Sequence, residues 1–156
     1  MKKREAYDLA FSPDRSTFLF ESTGPKGRVQ KIIEFGSLPN DRWNLGFGDI
    51  AGDDWHDHII TDNKDMRKVL QTVANAIHLF TERYPGRKVH IQPLDRQRKL
   101  LYNRIFQQKW DEISDVFSVH GIRLTEEGAE GALEYYDPLL MYDVFVLTRK
   151  KPIFEQ

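Results

Sequence analysis

A short acidic stretch carries the residues best suited to bind a metal. Two histidines flank an aspartate, and three more aspartates lie nearby in the sequence: His56, Asp57, His58, Asp53, Asp54 and Asp62. Imidazole and carboxylate groups are ligands for zinc, manganese or iron. The spacing matches no established metal motif such as His-Glu-x-x-His. We therefore predict that residues 51–63 form a solvated acidic loop, in which residues 59–60 could add a short strand, and we predict no metal site.

Covalent catalysis and phosphate-loop binding find no support in the sequence. There is no Gly-x-Ser-x-Gly motif that could anchor a Ser/His/Asp triad. The absence of cysteine excludes thiol catalysis, disulfides and Cys-ligated metal. Residues 24–27, Gly-Pro-Lys-Gly, are too short for a phosphate loop and instead predict a hairpin turn. We predict no catalytic residue and no cofactor from these motifs.

The charges are unevenly distributed along the chain. Residues 83–109 contain eight basic residues and one acidic residue, whereas residues 111–143 contain nine acidic residues and one basic residue. A basic surface could bind nucleic-acid phosphates or an acidic protein. The net charge of −1 and the absence of an RNA-binding motif favour the alternative, in which this segment faces the acidic C-terminal third of the chain or solvent. The candidate binding residues are Arg96, Arg98, Tyr102 and Arg104.

The hydrophobic pattern predicts the elements that position these residues. Apolar residues spaced by three and four from Met66 to Phe80 predict a helix, capped by Asn63 or Asp62 and ended at residues 84–86. Asp95 is a plausible N-cap for a second helix, and a helical spacing continues over residues 110–116. Residues 124–138 predict a loop or a frayed helix. Alternating patterns predict strands over residues 7–11, 18–21, 28–35, 43–48, 88–92, 117–122 and 142–148.

Two charged residues interrupt these patterns. Lys31 breaks the apolar face of its strand, which favours a place near a sheet edge. His90 alternates with Val89 and Ile91, which predicts that it lies on the outer face of its strand with a structural role.

Length and composition indicate one compact domain over residues 1–150, followed by a tail over residues 151–156. The chain has 156 residues, of which 40% are hydrophobic and 30% are charged. No apolar run approaches the ~20 residues that span a bilayer, and no apolar region follows the basic N-terminus. We therefore predict a cytoplasmic protein without a membrane partner.

The order of elements is similar to the core of the acetyl-CoA-dependent N-acetyltransferases. In that family, backbone N–H groups at the start of the central helix hold the pyrophosphate of acetyl-CoA. The resemblance therefore implies a pyrophosphate site at residues 61–66. These residues lack the glycines of the family pattern, Arg/Gln-x-x-Gly-x-Gly/Ala, and their two aspartates would repel a pyrophosphate.

A second resemblance rests on Tyr7 and on residues 11–14, 18–20, 24–29, 44–49, 69–74, 80–85, 96–98 and 101–104. In these residues the sequence resembles a family of small bacterial proteins, mostly from Bacteroidetes, that is classed as a domain of unknown function. The similarity covers nearly the whole chain, and it implies a stand-alone single-domain protein without implying any activity. One departure is that residues 93–95, Pro-Leu-Asp, stand where small residues are expected.

Together these patterns predict an α+β fold with a mainly antiparallel sheet and two principal helices on one side. The leading functional hypothesis is a non-enzymatic interaction or accessory protein. It would use the surface from Arg96 to Arg104 to bind an unknown protein partner or a second copy of itself. One alternative is a degenerate acetyltransferase-like enzyme that binds acetyl-CoA. The other is a nucleic-acid-binding protein that uses the basic start of the second helix.

Overall fold

The structure, a computed structural model, describes residues 5–51, 54–56 and 63–151. The strands form a mixed, mostly antiparallel sheet, so the predicted α+β fold is confirmed. No helix in these residues is long and apolar enough to cross a membrane. The helices are α1 (Met66–Arg83), α2 (Arg96–Gln108) and α3 (Trp110–Val116). The strands are β1 (Ala10–Phe11), β2 (Thr17–Gly24), β3 (Gly27–Ser37), β4 (Arg42–Ala51), β5 (Asp54–His56), β6 (Lys88–Ile91), β7 (Phe117–Ile122), β8 (Glu134–Tyr135) and β9 (Val144–Arg149).

The chain divides into two compact units, and the division falls within β4. The first unit comprises Met1–Gly36 and Leu45–Arg83, and the second comprises Ser37–Asn44 and Tyr84–Gln156. The interpretation of residues 1–150 as a single domain stays a prediction.

In the first unit, β2 and β3 form a hairpin that packs against α1. The turn is the one predicted at residues 24–27, and Gly27 adopts a positive φ of 85°, which favours glycine. Phe35 on β3 stacks on Phe80 of α1 with ring centroids 4.1 Å apart. Lys31 was wrongly predicted near an edge, because β3 lies between β2 and β4 and Lys31 is buried.

The predicted acidic loop after β4 is partly wrong. Residues 54–56 form β5, which pairs antiparallel with the end of β4. Backbone pairing thus extends into a stretch whose composition suggested a loop, since side-chain polarity does not prevent a strand at a sheet edge. Asp53, Asp57, His58, Asp62 and residues 59–60 lie outside the described residues.

In the second unit, the strand order is β4, β6, β9, β7, β8. Strands β4 and β6 are parallel, and their ladder has three residue pairs, from Arg42↔Lys88 to Asn44↔His90. The remaining ladders are antiparallel, and β9 lies between β6 and β7. Phe106 of α2 stacks on Phe145 of β9 at 4.1 Å, which fixes this helix on the sheet.

The predicted start of α2 is confirmed at Asp95. Its carboxylate accepts a hydrogen bond of 2.8 Å from the backbone N–H of Arg98, which satisfies one of the free donors of the first turn. Sequence pattern did not reveal the two-residue strand β8 within the predicted loop over 124–138. A strand of this length has no measurable alternation.

Candidate functional site

The segment that enters α1 is tied to the β2–β3 hairpin by Asn63. Its side-chain oxygen accepts from the backbone N–H of Lys26 at 2.7 Å. Its amide donates to the Gly27 carbonyl at 2.9 Å and to Ser22 Oγ at 3.2 Å. Asn63 therefore does not cap α1, contrary to the sequence prediction, because its hydrogen bonds are directed to the hairpin. A Cβ at Gly24 would lie 2.1 Å from the Asn63 carbonyl oxygen, so the approach requires glycine.

Asp65 takes the position at which α1 begins. Its backbone carbonyl accepts from the Val69 N–H at 2.9 Å. Its carboxylate accepts from Tyr7 OH and from Ser22 Oγ, each at 2.5 Å. The two hydroxyls hold this carboxylate beside β2.

The first turn of α1 combines free backbone donors with positive charge. An α-helix leaves its first N–H groups without intrahelical partners. This turn has no acidic residue, and exposed Arg67 forms no ion pair within the described part of the chain. Cations here oppose the helix dipole at a cost of roughly 0.3–1 kcal/mol each, so an anion would be favoured.

Lys64 adopts a conformation that is more typical of glycine. Its φ is 58°, in the left-handed region that costs an ordinary residue about 1–2 kcal/mol. The turn before α1 therefore has left-handed backbone although it lacks the glycines of the acetyltransferase pattern. Such strain points to a constraint on the path of the backbone into the helix.

A buried ion pair lies on the same unit of the sheet. Lys31 Nζ is 2.5 Å from Asp49 Oδ1, and the two side chains are 1% and 7% exposed. The lysine ammonium also lies 5.7 Å from the centroid of the Phe47 ring. Burial on this scale is expensive for charged groups unless they are paired. Sequence reasoning missed the pair because Lys31 and Asp49 are 18 residues apart.

His90 is buried in the second unit, which corrects the prediction of an outer-face residue. It is 5% exposed, and among its ring nitrogens Nδ1 has no hydrogen-bond partner while Nε2 lies 3.3 Å from Gln92 Oε1. Burial lowers the pKa of His90 below its usual 6.5, and the contact with Gln92 opposes this shift. The nearby ion pair of Arg42 and Glu130 acts on the same ring with opposing signs.

The lowered pKa of His90 predicts a pH-dependent stability. Below pH 6.5 this histidine is protonated in the unfolded chain, whereas in the folded chain its lower pKa keeps it neutral to a lower pH. The free energy of unfolding therefore decreases as the pH falls below 6.5. The contribution is at most one proton, or about 1.4 kcal/mol per pH unit. Urea unfolding between pH 7.5 and 5.5 should show a smaller decline for His90→Leu than for the unmodified protein. Equal slopes for the two proteins would contradict the assignment.

The four predicted binding residues separate into two pairs on α2. Arg96 and Arg104 are exposed. Arg98 lies 3.6 Å from the Asp95 carboxylate, and burial raises the pKa of Tyr102 next to it. Tyr102 is therefore half-buried and presents little ring surface for stacking. The structure does not bring the four together, since Arg98 and Tyr102 lie on a different side of the helix from the exposed pair.

The acidic C-terminal third does reach part of this basic segment. Lys99 Nζ lies 2.6 Å from Asp143 Oδ1. Two hydrogen bonds, from Lys99 and from the Leu124 N–H, lower the pKa of Asp143 although burial acts in the opposite direction. Lys99 therefore faces the acidic C-terminal third of the chain, which is one of the alternatives given for the basic segment. The described residues contain no cluster able to hold a metal, and His58 of the acidic stretch lies outside the residues searched.

Comparison with known proteins identifies the family. Residues 3–150 match a family of unknown function, DUF6934. The chain belongs to this family. DUF6934 thus covers both candidate regions, the start of α1 and the basic face of α2, and the predicted resemblance to a family of unknown function over nearly the whole chain is confirmed. No curated protein and no solved structure matches the chain.

Proposed function

We propose that this DUF6934 chain binds acetyl-CoA, with the pyrophosphate held at the first turn of α1. The observation that carries the proposal is the first turn of α1, which contains no acidic residue and carries the exposed guanidinium of Arg67. The strands β4 and β6 are parallel and share three residue pairs.

The chemistry of the α1 start supports the same ligand. Free N–H groups and a helix dipole favour phosphate oxygens. Arg67 adds a guanidinium that can bind a phosphate through two hydrogen bonds. The repulsion expected from Asp65 is reduced, because Tyr7 and Ser22 hold its carboxylate against β2.

The missing glycines are compatible with this site. Their purpose in such a turn is to permit left-handed backbone and a close approach of the ligand. Lys64 already provides the left-handed backbone, and its ammonium adds positive charge before the helix. In the bound state the chain would use Arg67 and the N–H groups of the first turn to neutralise and orient the pyrophosphate. No residue is assigned to acyl transfer.

Calorimetric titration with acetyl-CoA tests this proposal. We expect measurable heat and a raised melting temperature at ligand concentrations up to about 1 mM. Arg67→Glu should weaken binding about tenfold or more, because it places a negative charge beside the phosphates. Arg83→Glu, the same change in the last turn of α1, is the matched control and should bind normally. Absence of both heat and thermal shift for the unmodified protein would end the proposal.

The interaction hypothesis remains a second candidate because Arg96 and Arg104 are exposed on α2 and have no ion-pair partner within the described residues. Nucleic-acid binding by the same residues stays a prediction. Its test is salt-dependent retention on single-stranded RNA, since phosphate contacts weaken as salt rises.

A further inference from the structure

Three consecutive turns of α2 hold one segment of the chain, residues 138–143, which we call the strap. Gln107 Nε2 donates to the Pro138 carbonyl at 3.0 Å. Asn103 bonds both the N–H and the carbonyl of Tyr142, each at 2.9 Å. Lys99 completes the series with its ion pair to Asp143. Because positions 99, 103 and 107 are spaced by four, the strap runs along one side of the helix.

The surface formed by the strap and α2 exposes large apolar side chains. Leu139 is 90% exposed, next to the Pro138 carbonyl that Gln107 holds. Met141 is 43% exposed, and Leu100 on the adjoining stripe of α2 is 42% exposed. Apolar side chains gathered in this way are typical of an interaction surface.

The charges around this surface are arranged in two opposite groups. Arg96 and Arg104 lie on the same exposed stripe as Leu100, and α3 begins two residues after the end of α2 with exposed Asp111 and Asp115. None of these four side chains has an ion-pair partner in the described part of the chain. Along the chain, the basic residues Arg96 and Arg104 therefore come before Gln107, which holds the carbonyl next to Leu139, and the acidic residues of α3 come after it.

Such an arrangement is complementary to itself under a two-fold rotation. A two-fold axis perpendicular to α2 makes the helices of two copies antiparallel, so the basic end of one meets the acidic end of the other twice. The axis then passes near Gln107, where Leu139 of each copy can pack on the other. If the α2 helices of two copies were parallel instead, the basic ends would face each other and so would the acidic ends.

We propose that the strap, α2 and α3 form the interface of a symmetric homodimer. The inference rests on the interaction hypothesis, and it is independent of acetyl-CoA binding. Leu139, Met141 and Leu100 supply its apolar centre. Arg96 and Arg104 pair across the interface with Asp111 and Asp115 of the second copy and set the antiparallel orientation.

Sedimentation equilibrium of the full chain tests the dimer. The unmodified protein is expected to associate as its concentration rises toward about 1 mM. Leu139→Glu places two carboxylates at the axis and should weaken association about tenfold or more. Arg96→Glu with Arg104→Glu should weaken it to a similar extent, and adding Asp111→Arg with Asp115→Arg should restore it, because the charges are then exchanged.

The matched control reverses the charge of two exposed acidic residues outside the proposed interface, Glu126→Arg with Glu127→Arg, and should leave association unchanged. Far-ultraviolet circular dichroism checks that each variant is folded. A protein that stays monomeric throughout, or a dimer indifferent to Leu139→Glu and to charge reversal, would overturn the proposal. Heat with acetyl-CoA is measured in parallel, so loss of the dimer and failure of ligand binding are told apart.

Discussion

Replacing Lys31 with methionine should destabilise the protein by about 3–5 kcal/mol, because the Asp49 carboxylate is left charged and buried. The two atoms that pair are 2.5 Å apart, and both side chains are almost fully removed from solvent. Methionine approximates the lysine stem in volume, so the loss reports the missing partner and not a cavity. Urea unfolding followed by circular dichroism measures the change.

The double variant Lys31→Met with Asp49→Leu is the informative control. It removes both charges, and because no buried charge remains, the unfolding free energy should recover to near its original value or above it. Recovery would show that the pair contributes little net stability and that its members depend on each other. A single Lys31→Met change costing under about 1 kcal/mol would mean that Asp49 reaches water or another cation.

Asn103→Leu is expected to cost about 2–5 kcal/mol of unfolding free energy. The side chain makes both hydrogen bonds to the backbone of Tyr142, whose own side chain is fully buried. Leucine has a similar volume but leaves one N–H and one carbonyl without a partner, at roughly 1–3 kcal/mol each. Thermal and urea unfolding measure the loss.

Gln107→Leu is the matched change one turn further along α2. Its single bond to the Pro138 carbonyl is exposed, so water replaces it and the cost should stay below about 1 kcal/mol. If both variants lost the same stability, the buried amide of Asn103 would not be the main attachment of the strap.

The parts of the fold that the sequence predicted are those determined by residues close to one another in the sequence. The α1 helix follows from apolar spacing, and its end from Pro85 and Gly86. The start of α2 follows from the side chain of Asp95, whose hydrogen bond spans three residues. The strand positions follow from alternation with a period of two. Each of these signals is contained in a short window of sequence.

The parts that were missed depend on residues distant in sequence. Alternation indicated that Lys31 shares a face with apolar neighbours, but its partner Asp49 comes from the next strand. Asparagine is a common N-cap residue, so Asn63 was a reasonable candidate. In the folded chain its side chain instead forms hydrogen bonds to the β2–β3 hairpin, which is distant in sequence. The exposure of Arg96 and Arg104 could be read from helical spacing, whereas the strap that gives their surface an apolar centre could not.

The three attachments of the strap have a consequence for the entropy of association. A loop that is free in the monomer must be ordered when a partner binds, at roughly 0.5–1.5 kcal/mol for each flexible side chain that is immobilised. Here Lys99, Asn103 and Gln107 fix the backbone on both sides of Leu139 before any encounter. Most of that ordering is completed during folding, so even a small apolar contact at this position could hold two copies together.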